Sequence, residues 1–397
     1  MRTEPGIGVF PLTDRLRRVA HIESASIKHL SGWFLRARPY ENKHRLGYHV
    51  WNHAEHTNWL RERLQFLRGG LRNASLDPAF LDFVDLTCHA PSDYAYLRGA
   101  YQVLKPALLA FYEETLAQCD PSANAYDARL IKRIIPEIRE QIEWGESVLQ
   151  GDPDPETSQA WADFLQETLD AIGGLSSSGT PKGVVSREHS LVTPFTLPDS
   201  ILFDDRIADK PLTPHDEKVK LPYEDALREQ FRVFFNEIYA ASMLAALLYD
   251  SFDQDMSWDF IYDFSRHFWD ECRHSEFGAV RLKELGYEPD RCDQTLFLNS
   301  LSMPLLHRVC YLTMVLEAYY MPRKKPRFKE YEEAGDTRSQ LFADHDWSDE
   351  INHVRLGKDW LEKLLEDDAR DIAQLKEETT AILEQRAGEP LAQISPF

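Results

Sequence analysis

The chain has 397 residues, with 66 Asp or Glu against 45 Lys or Arg and a formal net charge of −21. The densest basic run is only Arg323-Lys324-Lys325, so nucleic acid and anionic membrane are poor partners. No apolar stretch is read as approaching the ~20 residues of a bilayer span, the first residues lack a signal-peptide layout, and the five cysteines show no C-x-x-C spacing, so a cytoplasmic protein without disulfides or structural zinc is expected.

Helical periodicity dominates and strand signals are almost absent. The spacing predicts long helices near 12–38, 41–69, 93–119, 125–150 and 156–173, then near 223–250, 256–286, 293–321, 346–366 and 367–386. Gly173-Gly174, and Gly286 ahead of Pro289, supply helix stops, and Pro39 separates the first pair. Residues 176–221 differ: they are Pro-rich and irregular, yet carry Phe195 and Ile201-Leu202-Phe203, more apolar side chains than a plain linker needs. This stretch is expected to lie against the helical domains, either as a packed strap or over a site entrance. The organisation read from the chain is all-α, with helical domains at 1–175 and 222–397 joined by that strap.

The C-terminal half holds one short motif twice, Asp270-Glu271-Cys272-Arg273-His274 and Asp349-Glu350-Ile351-Asn352-His353. A separation of three turns a helix by roughly 300°, so Glu and His project from one face and can share a metal ion. Upstream of each motif a lone glutamate sits in an apolar setting: Glu237 within Phe234-Phe235-Asn236-Glu237-Ile238-Tyr239, and Glu317 within Met314-Val315-Leu316-Glu317-Ala318. An ionised glutamate in such surroundings costs several kcal/mol unless paired or bound to metal. The intervals between these groups each fit one long helix plus a turn, so antiparallel helices can bring all six to one level of a bundle. Four carboxylates and two imidazoles nearly neutralise two divalent ions and suit iron or manganese better than structural zinc.

This order resembles the ferritin-like di-iron carboxylate superfamily, whose signature is one Glu from each of two helices and Glu-x-x-His from each of two others. The resemblance implies two ferritin-like bundles in tandem, the C-terminal one with an intact dinuclear set. It places Glu237, Glu271, His274, Glu317, Glu350 and His353 on metal-ligand positions, and Asp270 and Asp349 on positions that orient the ligand histidines. The run from Asp349 to Trp360 also looks like a motif of an uncharacterised bacterial ferritin-like family. His267-x-x-x-Glu271-x-x-His274 is similar to the helix of di-iron arylamine N-oxygenases that carries an extra histidine ligand, although there the extra ligand belongs to the other half of the bundle. His267 is therefore read as a ligand or as a buried hydrogen-bonded neighbour of the site. Asp346, the equivalent position before Glu350, is read as a helix N-cap.

The N-terminal half carries a worn copy. His49-Val50-Trp51-Asn52-His53-Ala54-Glu55-His56 lines up with residues 267–274, the Glu23 region with that of Glu237, and Leu108–Glu113 with Leu312–Glu317. Either Glu23, His49, His53, His56 and Glu113 form a second metal site, or the domain is degenerate and kept for packing. No nucleophile elbow, phosphate loop or dinucleotide fingerprint is present.

The resemblance implies a non-haem di-iron, O₂-activating oxidoreductase acting on a small organic substrate. The four glutamates would ligate and bridge two Fe ions (or Mn), and His274 and His353 would each complete one of them. The alternatives are a peroxidase, manganese catalase or ferroxidase of the same fold, and a metal-free helical scaffold. An electron donor and a homo-oligomer are left open.

Overall fold

A computed structural model of the chain describes residues 6–69, 76–176, 187–212 and 221–387. The described residues are mostly helical, and their strand content is one parallel pair, β1 (Ala208–Asp209) with β2 (Arg291–Cys292). The chain divides into two compact units. The first comprises Met1–Trp33 and His49–Leu197, the second Phe34–Tyr48 and Pro198–Phe397.

The helices of the N-terminal half are α1 (Val9–Arg36), α2 (Tyr40–Phe66), α3 (Pro78–Leu86), α4 (Asp93–Arg98), α5 (Lys105–Gln118), α6 (Ala125–Val148) and α7 (Pro155–Ala171). The single helix read over 93–119 is interrupted by a π-helical turn at Gly99–Leu104, and α3 was not foreseen. Its start is chemically plain, with Asp77 accepting from the Ala79 N–H at 3.0 Å and Pro78 opening the helix. The tip of the α1–α2 hairpin, residues 34–48, belongs to the second unit, where Phe34 meets Phe268 edge-on at 4.9 Å.

In the second unit α8 (Tyr223–Asn236) and α9 (Ile238–Asp253) are followed by α10 (Trp258–Glu284), α11 (Thr295–Ser300), α12 (Leu305–Cys310), a π-helical turn at Tyr311–Glu317, α13 (Ala318–Ala334), α14 (Thr337–Leu364) and α15 (Ile372–Ala387). Two departures from the sequence reading matter. Helix α13 runs through Pro322 and Pro326, and α14 begins about nine residues before the expected 346, at the cap Asp336, which accepts from Ser339 N–H at 3.0 Å. Packing of Lys324 and Tyr331, both buried, offsets the hydrogen bonds that the prolines remove.

The stretch Tyr223–Asp253 is long and apolar enough to cross a membrane by composition, contrary to the reading above. Its most apolar window is 83% buried within the protein, so the composition reflects a helix packed on nearly every face. The strap's described part is pinned by backbone bonds. Thr193 N–H donates to His89 C=O (2.9 Å) in the first unit, and Leu202 N–H to Leu35 C=O (2.9 Å) in the second. Phe195 and Ile201 are buried. Segments 177–186 and 213–220 of the strap lie outside the described residues.

Two glycines set the spacing of the helices that carry the motif residues. A Cβ on Gly278 of α10 would stand 2.1 Å from the Phe235 backbone N, and one on Gly357 of α14 would stand 2.1 Å from Thr313 Oγ1. Gly278 meets the backbone of α8, and Gly357 lies against the Thr313 side chain. Gly278→Ala and Gly357→Ala should each destabilise the second unit by about 1–3 kcal/mol through overpacking. Differential scanning calorimetry should show its melting lowered by roughly 2–4 °C for each kcal/mol.

Candidate metal centre

The two lone glutamates stand where the helical ladder is irregular. Glu237 is the junction between α8 and α9, its N–H bonding three residues back to Phe234 C=O (3.1 Å). Glu317 ends the π-helical turn. Such interruptions re-aim a side chain while the flanking helix stays packed, and π turns recur at functional sites. The two Glu-x-x-His motifs lie mid-helix in α10 and α14, where regular geometry stacks Glu over His.

These four segments converge. One donor atom from each of His267, Glu271, Glu317 and His353 lies within 4.8 Å of the others, and the same holds for Glu271, His274 and Glu350, and for Glu237, His274 and Asp346. Glu271 belongs to the first two groups and so stands between them. Its Oε1 is 3.2 Å from His353 Nδ1 and 3.6 Å from His274 Nδ1. His267 Nε2 is 2.7 Å from Glu317 Oε1, and its ring stacks on that of His353 with centroids 3.7 Å apart. The far nitrogens cross over: His353 Nε2 faces Asp270 Oδ2 at 3.5 Å, and His274 Nε2 faces Asp349 Oδ2 at 3.3 Å. Each motif's aspartate thus orients the other motif's histidine, and Arg273 joins the two aspartates at 2.6 and 3.2 Å.

Two residues were misread or missed. Asp346 is not an N-cap; α14 starts at Thr337, and Asp346 is buried about two and a half turns in. It binds Lys324 Nζ at 2.7 and 2.9 Å, and the same ammonium donates to Glu350 at 3.1 Å. Lys324 was visible only as part of a basic run. The run lies on a helix, where successive side chains are turned by about 100°, so one of its members is buried and the next is exposed.

The electrostatics follow from burial. Burial pushes the Glu237 carboxyl well above its usual range and Glu350 to about 7, with Lys324 opposing both shifts. Burial also opposes charge on Glu271, yet His274, His267 and His353 hold its carboxyl well below the usual range. The His274 and His353 rings are raised well above theirs despite burial, His274 chiefly by Glu271 and Asp349 and His353 by Asp270 and Glu271. Even so, the cluster does not close on itself. Glu237 Oε2, Glu271 Oε1, Glu317 Oε2, Glu350 Oε2, His274 Nδ1 and His353 Nδ1 are all buried without a hydrogen bond. That is one unsatisfied atom on each of the six residues read as ligands, and the donor set can hold metal ions.

A pocket reaches Glu237, Glu271, Glu317 and Glu350. Val233, Ala240, Leu312 and Leu316 give it apolar walls, and α13 contributes Arg323, Lys324 and Arg327.

The first unit gathers only part of its expected set. Glu23, His53 and His56 are buried together, but Glu113 is exposed and paired with Arg139, and His49 bonds Tyr101 OH at 2.6 Å away from that group. The alignment of Glu113 with Glu317 was out of register. A constant offset of 212 residues relates the two π turns (99 and 311), Lys105 to Glu317, Glu137 to Asp349, Gln141 to His353 and Gly145 to Gly357. The geometry repeats with it. Gly145 abuts Tyr101 as Gly357 abuts Thr313, and Glu137 faces His56 Nε2 at 3.0 Å as Asp349 faces His274. In this register Glu350 corresponds to Ile138.

Here the bonds do close. His53 Nδ1 meets Glu23, and Lys105 donates to His53 Nε2 (2.6 Å) and to Gln141 (2.5 Å). Tyr112 OH donates to Glu23 Oε1 (2.8 Å), and His56 spans Glu23 and Glu137. Burial notwithstanding, Glu23 and Glu137 raise the His56 pKa to about 9, so both its ring nitrogens carry protons near neutral pH.

Among protein families, the chain matches a model described as protein of unknown function (DUF455) over residues 234–393. That span contains Glu237, Glu271, His274, Glu317, Glu350 and His353. No curated protein and no solved structure matches the chain.

Because His274 and His353 are held protonated when no cation is in place, binding a metal must displace those protons. Adding Fe(II) or Mn(II) anaerobically in weak buffer should therefore acidify the solution. Affinity should rise with pH, by about tenfold per unit for each proton released, and weaken as the rings are reprotonated. An indicator dye and titrations at several pH values measure both.

Proposed function

We propose that the second unit is a dinuclear metal centre of a non-haem, O₂-activating oxidoreductase, with iron the preferred metal and a small organic molecule as substrate. The observation that carries the metal assignment is the set of six unsatisfied buried atoms, one on each motif residue. Glu237, Glu271, Glu317, Glu350, His274 and His353 would hold the ions, and His267 would add a nitrogen beside Glu317. A bound pair of redox-active ions supplies electron transfer to O₂, which none of these side chains can perform. The protein's own work is to hold its donors in fixed positions, orient His274 and His353 through Asp349 and Asp270, and keep protons on Lys324 Nζ beside Glu350. Oxidation of a substrate is favoured over simple ferrous-iron handling because an apolar-walled pocket reaches the four glutamates directly.

The first unit reads as a metal-free counterpart of the same bundle. His53 stands where Glu271 does, Lys105 where Glu317 does and Ile138 where Glu350 does, so three carboxylates are gone and an imidazole and an amine have entered. His56 and Lys105 donate to lone pairs that cations would otherwise coordinate.

Metal analysis tests both statements. Wild type should hold about two ions per chain. Glu271→Ala and His353→Ala should lose them while circular dichroism stays helical; retention at the wild-type level would overturn the assignment. Glu23→Ala should leave metal content unchanged. Lys105→Met, which strips a donor from His53 and Gln141, should destabilise the first unit by about 1–3 kcal/mol in thermal melting.

A further inference from the structure

The pocket above the second unit's glutamates is electrically polarised. Its inner end is built from Glu237, Glu271, Glu317 and Glu350, and its middle is apolar. Its remaining wall, on α13, presents Arg323 and Arg327, one helical turn apart on the same face. Lys324, between them, is already committed to both oxygens of Asp346 and to Glu350. Arg323 lies over the rings of Tyr319 and Tyr320, 5.4 and 5.1 Å from their centroids. Arg327 is half-buried with its guanidinium 6.0 Å from the Phe234 ring centroid, and it makes no ion pair with a carboxylate among the described residues. In a chain with 66 acidic side chains, an arginine held at a pocket wall without an acidic partner calls for an anion from outside.

We propose that this pocket takes a small organic carboxylate, gripped at its acid end by Arg327 while its apolar body points toward the glutamates. The assignment rests on the reading of the site as an oxidising centre only for what happens to the bound molecule; the binding itself is independent of it. The polarity sets the orientation. An anion is attracted to the guanidinium and repelled by the inner carboxylates, so the acid stays outward and carbon is presented inward. A carboxylate also fits better than a phosphate. One guanidinium fork satisfies two oxygens, whereas a phosphate brings a third that the apolar walls would leave without a donor.

The test is calorimetric titration of the purified metal-bearing protein with hexanoate, hexanamide and hexyl phosphate. Hexanoate should bind roughly tenfold or more tightly than its neutral isostere. Arg327→Gln should abolish that preference, and Arg327→Lys should keep part of it. Both variants should retain helical circular dichroism and metal content, since Arg327 supports no internal ion pair. Hexanoate that does not bind, equal affinity for hexanoate and hexanamide, a preference unchanged in Arg327→Gln, or tighter binding of hexyl phosphate would each overturn the proposal. Metal content read on the same samples separates the two claims. Full metal without carboxylate preference sinks only the pocket assignment, and carboxylate preference in a chain that holds no metal sinks only the oxidoreductase.

Discussion

The second unit depends on placing several carboxylates close together in a largely buried interior. Glu237, Glu271, Glu317, Glu350 and Asp346 approach one another among Phe, Leu and Ala side chains, where like charges cannot persist without compensation. His267, His274, His353 and Lys324 provide that compensation, and the bundle's helices must hold them at one level. Hence the close passage at Gly278 and Gly357, the junction at Glu237 and the π turn ending at Glu317. These features cost the helices some regularity, and all of them serve to bring a carboxylate to a fixed point. What remains is six buried atoms without a hydrogen bond, some of them facing one another only at ion-pair distance, and that unmet demand is the reason to expect cations.

On the proposed reading, the first unit answers a similar demand on a similar helical plan without ions. With Lys105 and Ile138 in place of two glutamates, fewer negative charges need neutralising. Tyr112, Lys105, His53 and His56 then form a network in which Glu23 is satisfied at both oxygens. On the proposed reading, the two halves are a matched pair, in which four exchanges among the six ligand positions separate a network with unsatisfied atoms from a complete one: Glu271 for His53, Glu317 for Lys105, Glu350 for Ile138 and His353 for Gln141. Tyr112 and Lys324 are related by the offset of 212 residues, and both reach toward the first helix's glutamate or its neighbours. A position that is a hydroxyl donor in one half is an ammonium in the other.

Much of the site was readable from residue types and spacing. The duplicated Asp-Glu-x-x-His needs only helical geometry to bring Glu and His together, and a glutamate surrounded by Leu, Met and Val has few reasons to be there besides a ligand role. His267 was readable for the same reason, being one turn before Glu271. Lys324 and Asp346 were not, because their meaning comes from a contact across twenty-two positions and two helices. The register of the N-terminal copy failed for a related reason. Glu113 matched Glu317 by residue type within an apolar run, but the π turn fixes which face of the helix looks inward, and by that measure the counterpart is a lysine.

Local pattern therefore determined the all-helical character, the strap's irregularity, and which carboxylates and imidazoles share a helix face, since these follow from periodicity and backbone propensity alone. Tertiary structure decided which of those faces meet, that residues 34–48 join the second unit, that an apolar run long enough for a membrane is instead packed core, and which cluster is left unsatisfied. The physical reason is that hydrogen-bond satisfaction and charge balance are properties of a neighbourhood. Neither can be summed until residues far apart in the chain have been brought to within a few ångströms of each other.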